Sequence, residues 1–257
     1  MTSNYEIIKT KHFKKFDNAV LIEGLPGIGN VSRICVDFLI EKFKAVKLCN
    51  IYSDSFPNSV MVTDDSMIKL FKVEFYHTRA DGRDLILLIG DIQPSSDKDS
   101  HALTKLILKL SKDLGVSLII TLGGASLGGT PDITKVHGVV TDKSFIKELK
   151  SLGVVFDGND TIKLIVGAAG LLLGIGELMG FKGFSLLVET MSYPQHIGIK
   201  ESREVLKVLI KYLGLDLSLK DLDEEIKGIE KEIKAEISLS RELKKQQLMA
   251  VKPRYIG

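Results

Sequence analysis

Apolar residues along this chain gather into short continuous runs, and the segments between the runs carry helical periodicity. Residues 19–22 are apolar throughout and lead into Gly24, Leu25 and Pro26, which predicts a buried strand closing in a turn, with a helix from about 31 to 43. Residues 85–89 repeat the pattern and run into Gly90-Asp91-Ile92-Gln93-Pro94. Between 100 and 114, Ala102, Leu103, Leu106, Ile107 and Leu110 recur at i, i+3, i+4 spacing, the period of an amphipathic helix. Residues 116–122 are β-branched and apolar and stop at Gly123-Gly124; later runs are 161–166 and 184–188. Because several runs are continuously apolar rather than alternating, they suit strands covered on both faces, as in a mainly parallel sheet with crossover helices. Between Val46 and Tyr76 the pattern is less regular, and 60–62 and 70–76 are expected as strands of an antiparallel flap or hairpin on that sheet.

The end of the chain changes character. From Leu215 onward Leu219, Leu222, Ile226, Ile229 and Ile233 step by alternating threes and fours, with Glu and Lys on the other faces. This is a heptad seam, expected on a helix that lies on its own domain or meets another helix. The chain therefore divides into an α/β core over 1–215 and a C-terminal helix and tail over 216–257.

Composition narrows the function classes. An apolar fraction of 44% in 257 residues is enough for a sizeable core, and 35 basic residues against 33 acidic ones leave no general footprint for nucleic acid. Cys35 and Cys49 form no Cys-x-x-Cys pair and are expected to pack as small hydrophobes. The first 16 residues show no secretory pattern, and the most apolar stretch, 164–175, is too short and glycine-rich for a membrane span, so a cytoplasmic protein is expected.

Candidate chemistry sits in the turns after the strands, where open α/β sheets place their sites. Gly24-Leu25-Pro26-Gly27-Ile28-Gly29-Asn30 sets glycines and amide donors before a helix, a geometry open to a tight turn or an anion cradle. It lacks the Lys-Ser/Thr of a phosphate-binding loop and the order of a dinucleotide turn. Asp91 follows a strand as a cap, a general base or a metal ligand, and Gly123-Gly124 permits close backbone approach. Glu189 at a strand end is the most enzyme-like carboxylate, and a pairing with Asp91 at one sheet edge is the catalytic alternative. His12, His77, His101, His137 and His196 have no metal-ligand spacing, His137 and His196 are expected in loops, and there is no Gly-x-Ser-x-Gly elbow. No metal or cofactor is expected.

Taken in order, residues 24–31, 90–94, 121–124 and the 167–194 block with Glu189-Thr190 and Tyr193-Pro194 resemble the proteasome assembly chaperone family in its archaeal form. The resemblance spans roughly 19–215. It implies a fold related to nucleoside phosphorylases and hydrolases, homo-oligomerisation, and for some members binding to proteasome α subunits. Gly27, Gly29, Asn30, Asp91, Gln93, Gly123, Gly124 and Glu189 are then the family-motif positions. Leu219, Leu222, Ile226, Ile229 and Ile233 become the helix interface, with Tyr255, Ile256 and Gly257 the partner-binding tip. In proteasome activators the last residues read hydrophobic, tyrosine, any residue; here Tyr255 stands third from the end after Arg254, so the tail departs from that pattern. The expected protein is a non-enzymatic scaffold or assembly factor, the alternative a phosphorylase-like enzyme or small-anion or nucleoside binder.

Overall fold

Eight strands form one sheet in the computed structural model, and its four central strands are the apolar runs. The structure describes residues 4–126, 134–158, 160–193 and 196–218, with the single positions 220, 223, 224 and 227. In chain order the elements are β1 (Tyr5–Lys9), β2 (Ala19–Gly24), α1 (Val31–Lys42), β3 (Val46–Ser53), β4 (Val60–Val62), β5 (Ile68–Leu70), β6 (Val73–Ala80) and β7 (Arg83–Gly90). There follow α2 (Asp97–Asp113), β8 (Val116–Ser126), β9 (Val136–Val140), α3 (Ser144–Ser151), α4 (Ala168–Leu178), β10 (Lys182–Thr190) and α5 (Ile199–Leu213). The sheet order is β1-β3-β6-β7-β2-β8-β10-β9.

The strands β7, β2, β8 and β10 run parallel, and β1, β3, β6 and β9 extend the sheet by antiparallel pairing on either side. The centre is apolar in succession because both of its faces are covered. On one face α1 and α5 pack together, bringing Val36, Leu39, Val205 and Leu209 into the core. On the other, α2 and α4 pack together, and Leu103, Ile107 and Leu172 join Leu21, Leu88 and Ile119 in one apolar cluster. The α/β fold expected from the runs, a parallel centre with flanking helices, is the fold observed.

Local departures have physical reasons. Helix α2 begins at Asp97 because Ser96 caps it: its Oγ accepts the Asp99 amide at 3.1 Å. The run 70–76 is split. Leu70 belongs to β5, which pairs only with β4 in a separate two-stranded sheet, whereas Val73 begins β6 in the main sheet. The run 161–166 forms no strand. β8 is already flanked by β2 and β10, and β10 by β8 and β9, so these strands leave no free edge for it. Its Leu164 and Val166 remain 80% and 82% exposed.

The chain separates into two compact units, Met1–Asp216 and Leu217–Gly257. Leu219, Leu222, Ile226, Ile229, Ile233, Tyr255, Ile256 and Gly257 lie outside the described residues. Among the described residues no helix is long and apolar enough to cross a membrane.

Candidate functional site

The strand order places a topological switch at β2. The helix after β2 covers one face, and the chain leaving β7 crosses over the opposite face through α2 to reach β8 on the other side of β2. A crevice opens at the carboxyl ends of strands at such a point, and it collects the turns that follow them. A cavity of about 820 Å³ lies there, with Gly27, Gln93, Gly123, Gly124 and Gly167 among its lining residues.

Gln93 holds the two sides of this crevice together. Its Nε2 donates to the Pro26 carbonyl at 2.6 Å, and its Oε1 accepts from the Ala168 amide at 2.9 Å. One side chain thus fastens the turn after β2 to the first residue of α4. Gln93→Ala removes both bonds and leaves a part-buried carbonyl and an amide to find water. We expect a loss of about 2 kcal/mol in urea unfolding, near the sum of two ordinary hydrogen bonds.

The turn after β2 is pinned from a second direction. Gly29 has φ +64°, a left-handed conformation that favours glycine, and its carbonyl accepts the Gly198 amide at 2.7 Å. Asn30 follows with φ 54° and caps α1 without a side-chain hydrogen bond. Beneath the turn, Gly124 lies so close that a Cβ there would be 2.5 Å from the Ile28 carbonyl oxygen. The motif glycines at 29 and 124 are therefore explained by chain packing.

The two carboxylates singled out in the sequence do not meet. Asp91 accepts the Lys72 amide on Oδ2 at 3.1 Å and faces Arg33 Nη1 at 3.6 Å, while Arg33 also donates to the Gly90 carbonyl. Glu189 stands on β10, separated from β7 by β2 and β8. Three strand spacings are about 14 Å, beyond the reach of a shared proton. Glu189 instead pairs with His137, Oε1 to Nε2 at 2.9 Å. His137 is thus not a loop residue but a buried side chain on β9, 3% exposed. Its Nδ1 faces Asp157 at 3.4 Å without a proper hydrogen bond. The two acids flank opposite edges of the imidazole, so they do not converge on one metal position. His196 does lie in a loop, and its Nε2 meets Glu201 Oε1 at 2.8 Å, an oxygen that also accepts from Thr190 Oγ1 at 3.1 Å.

The residue that sequence reasoning missed is Glu23. The strand β2 extends to Gly24, and all six of its residues are buried. Glu23 is 1% exposed and forms part of the cavity wall. Burial lifts its carboxyl to about 8, only partly offset by hydrogen bonds from the backbone N–H groups of Leu25 and Leu122. The Leu25 bond, to Oε1, measures 2.8 Å. Oε2 has no partner among the described residues. In register beside it, Thr121 on β8 and Ser185 on β10 point to the same face, and their hydroxyls are also buried and unpartnered. An acid in the last turn-proximal position of an otherwise apolar run was the available signal, since a charged residue at a doubly covered strand position is rare unless paired.

The fold and crevice define an open α/β protein whose turns, gathered at one sheet edge, are locked to each other by backbone contacts and Gln93. The chain belongs to the PAC2 family, whose pattern matches residues 21–237. It is 34% identical over 224 residues to the protein MJ1210 of Methanocaldococcus jannaschii, covering 86% of this chain and 84% of the relative. Among solved structures it resembles Pyrococcus furiosus PbaB, described as an archaeal proteasome activator. The TM-score is 0.79 at 33% identity, over 90% of this chain and 98% of the other. Pyrococcus furiosus PbaA, described as an archaeal homolog of proteasome-assembly chaperone, matches with a TM-score of 0.74 at 25% identity, over 98% and 99% of the two chains.

Proposed function

We propose that this protein is a non-enzymatic, self-associating assembly factor or scaffold that engages proteasome α subunits through the segment after residue 216. The observation that carries this reading is the likeness to PbaB, at 33% identity across 90% of the chain. The separation of Asp91 from Glu189, the first beside Arg33 and the second hydrogen-bonded to His137, supports a binding role over paired acid–base chemistry. In this reading the seam residues Leu219, Leu222, Ile226, Ile229 and Ile233 bury apolar surface between helices, and Tyr255, with Ile256 and Gly257, supplies an aromatic anchor of the kind that dominates interface affinity. A cytoplasmic location follows from the proposed partner.

Native mass spectrometry of the protein with α subunits of a proteasome from the same source tests the reading. Complex formation by the full chain that disappears on removal of 254–257 assigns recognition to the tail. Loss only on truncation before Leu219 assigns it to the helix. A full chain that leaves the α subunits unbound overturns the proteasome partner. Ile226→Glu combined with Ile229→Glu and Ile233→Glu is expected to lower the oligomer mass while the core stays folded; an unchanged mass removes the seam from the interface.

A further inference from the structure

We propose that the cavity at the carboxyl edge of the parallel strands binds a small uncharged molecule with an apolar body and one hydrogen-bond acceptor, seated with that acceptor against the carboxyl group of Glu23. The site lies within the α/β unit, and every residue invoked falls between Glu23 and Leu187.

The volume of about 820 Å³ is within the range that encloses small ligands, and its position at the switch of an α/β sheet is where such ligands sit. Leu25, Leu122, Leu171 and Leu187 give the wall an apolar character. Leu164 and Val166, also on the wall, keep most of their surface in solvent, an unusual outlay of apolar area unless something covers it. The polar side chains along the wall are largely engaged already. Gln93 bridges Pro26 and Ala168, Ser32 donates to the Leu25 carbonyl at 2.6 Å, and Ser100 donates to the Ser96 carbonyl at 2.9 Å. Glu23 Oε2 is the buried exception.

The chemistry of that exception selects the ligand. With the carboxyl lifted to about 8, Glu23 carries its proton at neutral pH. The Leu25 N–H already donates to Oε1 while Oε2 has no partner, so the complementary group still missing is an acceptor for the O–H. An anion finds no buried cation here, since Lys163 and His101 on the wall are both exposed, as is Asp97. An ammonium ion would have to ionise Glu23 and be desolvated with it, a transfer that the ion pair only partly repays. A carbonyl or ring nitrogen on an apolar frame needs neither.

Four single-ring aromatic probes of related shape separate these cases: acetophenone, toluene, benzylamine and benzoate, each titrated into the full-length ¹⁵N-labelled protein at pH 7. Acetophenone is expected to shift the amides of Leu25, Gly27 and Ala169 and to bind about tenfold more tightly than toluene, the worth of one buried hydrogen bond. Glu23→Leu is expected to erase that advantage. Glu23→Gln, which keeps an N–H donor at the same place, is expected to retain it within about threefold, and it serves if the leucine variant does not fold. Equal binding of toluene and acetophenone overturns the role of Glu23, as does an advantage that survives Glu23→Leu. Tightest binding of benzylamine or benzoate overturns the uncharged ligand, and silence from all four probes overturns the site.

Discussion

Glu23→Gln is expected to make the protein more stable than its parent, and increasingly so as the pH rises. Glu23 has a folded-state value near 8 against an ordinary 4.5, raised by burial. Below about 4.5 folded and unfolded chains both hold the proton, and the acid costs the fold nothing on that account. Between 4.5 and 8 the unfolded chain releases the proton while the folded chain keeps it, so the contribution of this group to stability falls steadily with pH. Above 8 the loss is complete and amounts to roughly 5 kcal/mol, at about 1.4 kcal/mol for each pH unit of displacement. Glutamine does not titrate, and its carbonyl oxygen keeps the Leu25 amide bonded. The stability difference between variant and parent, read from urea midpoints at intervals from pH 5 to 9, should therefore widen toward the parent's disadvantage. Parallel curves would mean that the carboxyl titrates normally, and the case for a protonated Glu23 in the cavity would fall with it.

Two glycines of the family motifs should respond very unequally to the same added methyl group. At Gly124 a Cβ would stand 2.5 Å from the Ile28 carbonyl oxygen and 2.5 Å from Thr190 Cγ2, and the first of these neighbours is backbone. Gly124→Ala must push the turn over residues 28–30 away from the sheet, a displacement expected to cost about 3 kcal/mol, at the upper end for overpacking. At Gly27 nothing lies within 4 Å of a Cβ, and the backbone is extended at φ −152°. Gly27→Ala should change stability by less than about 0.5 kcal/mol. Denaturant unfolding of the pair measures the contrast. Equal effects would mean that the turn is not held by contact with β8. A harmless Gly124→Ala would in addition reopen the glycines as a ligand cradle.

The same geometry shows why the motif set is legible as a set. Residues 24–30, 90–94, 123–124 and 167–190 are far apart in sequence, yet Gln93 touches the first and last of them, and Gly124 packs under Ile28. Each turn is constrained by another, so a change at one position is felt at a second. That mutual constraint, rather than a shared catalytic act, accounts for glycine and glutamine at these positions.

The sequence by itself determined the central strands, the helices α1, α2 and their turns, because a strand covered on both faces must be apolar at every position and a surface helix must alternate at its own period. It also carried the family, through four short segments in order. It could not place residues 161–166, whose apolar pattern is that of a strand, because a strand exists only where a neighbour offers an edge, and β9 had taken the one beyond β10. For the same reason β1, β3 and β9, which are exposed in part and less apolar, were not legible as strands: their pairing is supplied by partners distant in the chain. His137 read as a loop residue until β9 set it beside Glu189. Glu23 is the sharpest case. In the sequence it is one acid among 33 carboxylates, and only the sheet, closing β7 and β8 on either side of it, removes it from water and raises its affinity for a proton. Pattern is a local property and survives in one dimension; edge, burial and acidity belong to neighbours, and these are chosen only when the chain folds.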